Sequence, residues 1–258
     1  MNKDNLIEYY NKFNEDKRFS SRGGQIEFIT SMKYIKEYLK EFDNPKILDI
    51  GAGTGAYSVP LVEEGYDVTA IELVKHNLRY IESKNSKVKT HLGNATNLEK
   101  FQDNSFDLVL LFGPMYHLIT DEEKIKALNE ACRVTKNNGI VMVAYIMNDY
   151  AVIMHGFKEN KILESINNNL VDNNYHITPK KTDLYSYVRM EDINYYNSKV
   201  ELDRIKIITP DGPTNYIRSI INKMDEETFK KYIDYHLNTC ERQDMIGAAG
   251  HTLDILRK

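Results

Sequence analysis

The stretch 47-ILDIGAGTGAYSVPL-61 decides the fold. Lys46 to Ile50 reads as a short buried strand, and 51-GAGTG-55 follows it as a glycine-rich turn. A helix is expected from about Ala56 to Glu64, ended by Gly65, with Pro60 close to its first turn. Glycine in such a turn allows a positive φ and lets a ligand approach the backbone. The helix start supplies unpaired N–H groups and partial positive charge for an anionic group. Tyr66 to Ile71 reads as a second strand closing at Glu72, nineteen residues after Gly53. A carboxylate there can accept both hydroxyls of a ribose.

Working outward, Ile26, Ile29, Met32, Ile35, Leu39 and Phe42 recur at helical spacing, predicting an amphipathic helix over 25–42 that stops at Asp43-Asn44-Pro45. Lys75 to Lys84 reads as a helix, Val88 to Leu92 as a third strand and Phe106 to Phe112 as a fourth. Thr120 and Glu123 have capping-box spacing before the stripe Ile125, Leu128, Ala131, Cys132 and Val134. Asn137-Asn138-Gly139 reads as a turn and Ile140 to Met147 as a fifth strand. Strands alternating with helices over 46–147 imply a doubly wound, mostly parallel α/β sheet with right-handed crossovers. Beyond it stand a helix candidate over Ala151–Asn168, a strand over Val200–Thr209, the turn 210-PDGP-213, a helix capped by Asp225, and a closing strand over Thr252–Arg257.

The chain has 258 residues, enough for one large α/β domain with an appended cover. At 41% hydrophobic and 28% charged residues it has material for a core without staples. Its apolar runs are too short to span a bilayer, and Met-Asn-Lys-Asp at the start lacks a secretory signal's apolar region. Cys132 and Cys240 have no metal-binding or disulfide spacing, which fits a reducing cytoplasmic location and no metal. A net charge of -4 opposes a nucleic-acid partner, whose phosphates need a basic surface.

The glycine loop admits two cofactor classes. Written G-x-G-x-x-A through Ala56, it nearly meets a dinucleotide fingerprint. Written D-x-G-x-G-x-G from Asp49, it resembles the first motif of class I S-adenosylmethionine-dependent methyltransferases. An acid at the strand end is out of place for a pyrophosphate but suits the ammonium of a methionine moiety.

The resemblance continues through 93-GNATNL-98, 106-FDLVLLFGPMYHL-118 and 129-NEACRVTKNNGIVMVAY-145. The ends 9-YYNKFNEDKRFSSRGGQIEF-28 and 235-YHLNTCERQDMIGAAGHTLDILRK-258 look similar to a bacterial branch of small-molecule methyltransferases. It implies a Rossmann-like methyltransferase fold, S-adenosyl-L-methionine as cofactor, and methyl transfer to an O, N or S atom of a small molecule. It further implies an N-terminal helical cover over 1–42, a cofactor-binding core over 43–147, and a substrate cover with the sheet's closing strands over 148–258.

The residues then expected at the cofactor are Tyr10, Arg22, Asp49, Gly51, Ala52, Gly53, Gly55, Tyr57, Glu72, Leu73, Asn94, Ala95, Phe112, Gly113 and His117. Asn94 stands where the family usually has an acid that meets adenine; its amide oxygen can accept the same hydrogen bond without the charge. Arg22 either pairs with the methionine carboxylate or makes a helix-surface salt bridge. Tyr9 and Tyr10 either close over the methionine end or anchor the first helix. Tyr116 and His117 are the catalytic candidates: His117 is a base, or it hydrogen-bonds the cofactor or the backbone, the simpler alternative.

Phe112-Gly113-Pro114 lacks the Asp or Asn that amide and adenine methylases carry before Pro-Pro-Tyr, which argues against those acceptors. His236 reads as core packing, His155 and His176 face substrate or solvent, and His76, His91 and His251 have no special placement. The tyrosines between Tyr145 and Tyr196 line an aromatic chamber or pack a lid. The rivals are a nicotinamide-dependent oxidoreductase, a catalytically silent S-adenosylmethionine-binding module, and an RNA or protein methylase.

Overall fold

The computed structural model describes residues 3–12, 18–85 and 87–258; residues 13–17 of the N-terminal stretch quoted above, and the first two residues, lie outside them. Seven strands form one sheet: β1 Lys46–Ile50, β2 Asp67–Glu72, β3 Lys89–Leu92, β4 Phe106–Leu111, β5 Thr135–Ile146, β6 Asp203–Ile208 and β7 His251–Arg257. Their spatial order is β3-β2-β1-β4-β5-β7-β6. The first five pair in parallel, whereas β7 runs antiparallel to both β5 and β6. The expected doubly wound sheet is therefore present, and β6 and β7 extend it. Strand order reverses between β1 and β4, the switch point beside which such sheets bind ligands.

Alternation along the strands decides which helix lies on which face. Ile47, Leu108 and Leu110 point into one core with Met32, Ile35 and Leu39 of α2 (Arg22–Leu39). Leu61 and Val62 of α3 (Ser58–Glu63) and Ile81 of α4 (Lys75–Lys84) join that core. Leu48, Val109 and Val141 point into the other with Ala127, Leu128 and Ala131 of α5 (Asp121–Val134). A period of two places neighbouring residues on opposite faces, so each buried strand feeds both cores.

The remaining helices are α1 (Lys3–Lys12), α6 (Asn148–Ala151), α7 (Ile162–Asn167), α8 (Met190–Asn197), α9 (Arg218–Ile221) and α10 (Glu226–Thr239). Asp225 caps α10 by accepting from the Thr228 N–H, as expected.

Three local expectations change. The helix expected over 25–42 begins at Arg22, where the Ser21 hydroxyl accepts the Gly24 N–H, and ends at Leu39. The turn expected at 137–139 is a bulge within β5, with Asn138 at φ 65° and a register shift opposite Phe106 and Leu108. The helix expected over 151–168 is broken: α6 runs into a π-helical turn at Val152–Phe157, Asn160 takes φ 57°, and α7 starts afresh. Ile153, Phe157 and Leu163 are exposed there, so no core holds one continuous apolar stripe.

The predicted capping box forms: the Thr120 hydroxyl accepts the Glu123 N–H and the Glu123 carboxylate accepts the Thr120 N–H. Thr120→Ala should lower stability by about 1 kcal/mol in chemical denaturation; an unchanged midpoint would show that α5 is held by packing alone.

Candidate active site

The loop after β1 is held from both sides. The Gly51 and Ala52 N–H groups donate to the Ile71 carbonyl, at 2.8 and 3.0 Å. Glu72, 7% exposed, accepts the Gly53 N–H on Oε2 and the Val74 N–H on Oε1, each at 2.8 Å. One carboxylate thus ties the tip of β2 to the glycine loop. Gly51 has φ 73°, and a Cβ there would lie 2.6 Å from the Pro114 ring. Only glycine lets the β1 and β4 loops approach so closely.

Asp49 is buried and accepts from Ser58 Oγ at 2.5 Å, anchoring the strand end to α3. Gly55 lines neither cavity; it packs its backbone against Ile81 and Val59.

Two cavities flank this loop. One, of about 550 Å³, is walled by Tyr10, Gly51, Gly53, Glu72, Leu73, Asn94, Ala95, Gly113, Tyr116 and His117, with Leu6, Asn77, Pro114 and Leu118. The other, of about 650 Å³, is walled by Asp49, Gly51, Ala52, Tyr57, Phe112, Gly113 and Tyr116, with Arg18, Glu27 and His251. Gly51, Gly113 and Tyr116 belong to both, so the cavities adjoin. The first presents a carboxylate, an amide and apolar walls to a nucleoside-like ligand. Asn94 Oδ1 also accepts the Thr96 N–H at 3.2 Å, which fixes its side chain in the turn.

Tyr10 brings α1 over the first cavity. Its hydroxyl lies 2.8 Å from His117 Nε2, while His117 Nδ1 lies 2.8 Å from the Leu184 carbonyl. A carbonyl only accepts, so Nδ1 carries the proton, and Tyr10 donates to Nε2. Burial pushes His117 down to about 4, against the help of the Leu184 carbonyl, so the ring is neutral at pH 7. Both ring nitrogens are engaged. The backbone alternative for His117 is the one this geometry displays, and Tyr10 covers the first cavity rather than the second.

Arg22 is corrected. It reaches neither cavity but pairs with Glu226 at 3.1 Å and lies over the Phe229 ring. Arg18, not Arg22, reaches the second cavity's wall, where it is bonded to Glu27 at 2.6 Å. The signal was the pair Gly23-Gly24: a Cβ on Gly24 would stand 2.1 Å from the Arg18 carbonyl, so that glycine alone lets residue 18 fold onto α2.

His251 also was underestimated. It lines the second cavity and its Nδ1 lies 2.7 Å from Asp211 Oδ2. His236 is a core residue, bonded to the Pro210 carbonyl.

The tyrosines of the cover do not form a chamber. Tyr145 and Tyr196 are in the core, Tyr175 and Tyr195 are largely exposed, and Tyr185 stacks on His117 at 5.2 Å without lining either cavity. The second cavity takes its aromatic walls from Phe19, Tyr57 and Phe112 instead.

Comparisons with known proteins agree with this geometry. Residues 48–143 match the model of a methyltransferase domain family. A glycine/sarcosine N-methyltransferase from Parasynechococcus marenigrum (strain WH8102) is 30% identical over 110 residues, 41% of this chain and 39% of that protein. A demethylmenaquinone methyltransferase from Paenarthrobacter aurescens (strain TC1) is 36% identical over 99 residues, 38% of each chain. The matched segment thus spans about two fifths of these relatives. A possible histamine N-methyltransferase from Thermotoga maritima has the same fold, with a TM-score of 0.60 at 15% identity, covering 99% of both chains.

Residues 48–143 belong to the methyltransferase domain family. They form a domain with the Rossmann-like fold of solved S-adenosylmethionine-dependent methyltransferases.

Two measurements probe the site. Glu72→Ala should weaken S-adenosylhomocysteine binding at least about tenfold in calorimetry, the roughly 1.5–3 kcal/mol of a hydrogen bond to a charged group; unchanged affinity removes Glu72 from the cofactor's contacts. His117 titrates near 6.5 when unfolded and about 4 when folded. Its neutral, buried state therefore contributes about 3 kcal/mol to folding stability, fully present above pH 6.5 and lost as pH falls towards 4, where protonation of Nε2 also breaks the Tyr10 bond. Hydrogen exchange in residues 6–10 should accelerate over that window, and His117→Asn should abolish the pH dependence.

Proposed function

We propose that this protein transfers the methyl group of S-adenosyl-L-methionine to an O, N or S atom of a small molecule. The observation that carries the reading is the pair of adjoining cavities at the switch point of the sheet, parted by Gly51, Gly113 and Tyr116. On this reading the first cavity takes the adenosine, with Glu72 on the ribose and Asn94 and Ala95 at the adenine. Asp49 and Arg18 stand at the methionine end, and the rest of the second cavity takes the acceptor. When bound, the cofactor supplies an electrophilic methyl on a sulfonium.

The chain need only align a nucleophile and exclude water. Such positioning contributes roughly 7–11 kcal/mol when reacting atoms are held about 3–3.5 Å apart. Here α1, latched by Tyr10 to His117, covers the cofactor side, and Leu184 to Ser186 brace Tyr116 and His117 from the cover. His117 then acts as part of that latch, and Tyr116 as a shared wall between cofactor and acceptor. In domain terms, residues 1–42 cover the core over 43–147, and 148–258 complete the sheet and roof the acceptor.

A small acceptor agrees with the named activities of the glycine/sarcosine and demethylmenaquinone relatives. One relative, from Wigglesworthia glossinidia brevipalpis, is a ribosomal RNA methyltransferase, but a net charge of -4 opposes an RNA acceptor here. Among the described residues no helix is long and apolar enough to cross a membrane, and the two buried free cysteines agree with a cytoplasmic setting.

The test is calorimetry with S-adenosylmethionine and NADH, followed by incubation with methyl-labelled S-adenosylmethionine and a panel of small phenols, thiols and amines. Cofactor binding and label transfer to at least one acceptor are expected. Tight binding without transfer would favour the silent binding module, and preferential binding of NADH would overturn the reading.

A further inference from the structure

The second cavity holds an acid–imidazole pair that the cofactor has no need of. Asp211, 1% exposed, follows β6 and is held on all sides. Its Oδ1 accepts the His251 N–H at 3.0 Å and the Thr209 hydroxyl at 3.3 Å. Its Oδ2 accepts Asn215 Nδ2 at 2.6 Å and His251 Nδ1 at 2.7 Å. Gly250 is what admits this packing: a Cβ there would lie 2.5 Å from Asn215 Nδ2 and 2.6 Å from Asp211 Oδ2. The imidazole is thus gripped at its backbone and at Nδ1 by one buried carboxylate.

A carboxylate only accepts, so Nδ1 carries the proton, and the neutral ring keeps its lone pair on Nε2. Among the described residues no hydrogen bond engages Nε2. The ring lies in the wall that also contains Arg18, Glu27, Tyr57 and Tyr116. His251 opens β7, opposite Ile146 at the end of β5. It therefore stands at the same end of the sheet as the loop after β1. This is the arrangement of a base whose tautomer is fixed by an acid behind it.

We propose that His251, oriented by Asp211, is the catalytic base of the acceptor site, and that the acceptor is a neutral hydroxyl on an aromatic ring. The inference rests on the methyltransferase reading above and deepens it. The ring walls Phe19, Tyr57 and Phe112 suit a planar acceptor. Glu27 is already paired with Arg18, and Asp49 is given to the methionine end, so no free carboxylate of this wall is left for a cationic acceptor.

As the acceptor oxygen bonds to the methyl carbon, the carbon–sulfur bond breaks and its electron pair stays on sulfur. The hydroxyl proton passes to His251 Nε2. The products are the methyl ether, neutral S-adenosylhomocysteine and a protonated imidazole, which loses its proton to solvent.

The groups facing His251 favour that proton. Burial and Arg18 lower its affinity, but Glu27 and Asp211 outweigh them and raise the imidazole above its ordinary value of 6.5. The neighbouring Tyr57 phenol stays neutral because burial pushes it well up.

The test uses the full chain saturated with S-adenosylhomocysteine, and 4-nitrophenol as the acceptor probe, at a pH below the probe's solution pKa at which NMR of the probe-free complex shows the His251 ring neutral. Calorimetry first establishes cofactor-product binding; its failure would sink the methyltransferase reading and is seen before the probe is added. Adding 4-nitrophenol should then produce the nitrophenolate absorbance band. In wild-type protein, NMR of the labelled His251 ring should show Nε2 gaining a proton at the same probe concentration. In His251→Asn and His251→Gln the probe should still bind, with the band lost and S-adenosylhomocysteine affinity unchanged. A bound probe that stays protonated in wild type, an equal band in His251→Asn, or no binding of the probe to the complex would each overturn the proposal.

Discussion

The site depends on one carboxylate. Glu72 accepts from the Gly53 and Val74 backbone amides, and so ties the glycine loop to the end of the second strand. Buried amides need partners, and the Gly53 N–H finds its partner in this carboxylate. The same oxygens that rigidify the loop stand in the wall of the first cavity. The geometry of the loop and the wall of the cavity are therefore set by one residue, and a substitution reaches both together.

A second constraint is the close meeting of two loops at the carboxyl ends of the parallel strands. Gly51 faces Pro114 without a side chain between them, and Gly113 faces the Gly51 carbonyl. That contact separates the two cavities while leaving Tyr116 exposed to both. Around it, the cover closes through polar links of long reach in sequence: Tyr10 to His117, His117 to Leu184, and Asp211 to His251. In each, burial makes the hydrogen bond selective, because a buried polar atom without a partner is costly.

Much of the core was legible from residue order. Lys46–Ile50 and Lys75–Lys84 stand where period and turn chemistry place them, and the Thr120–Glu123 box caps its helix as spaced. Legibility failed where local pattern lacked a packing partner. The apolar residues after Ala151 suggested one helix, but with Ile153, Phe157 and Leu163 exposed the chain breaks at Asn160. Asn137-Asn138-Gly139 reads as a turn in isolation, yet pairing with the fourth strand absorbs it as a bulge. Arg22 lies in the segment expected over the cofactor, but the bare backbone of Gly24 carries Arg18 inward instead.

By itself the sequence determined the parallel core, the glycine loop and the acid that ends the next strand. These follow from short-range rules: strand and helix periods, φ permitted to glycine, and a carboxylate at a fixed distance along the chain. Only the tertiary structure decided which histidine is latched and which keeps a lone pair in the wall of the second cavity. His117 meets Tyr10 from 107 residues away, and His251 meets Asp211 from 40. A ring's protonation and tautomer depend on the groups packed against it, and no residue's own neighbours in sequence specify those.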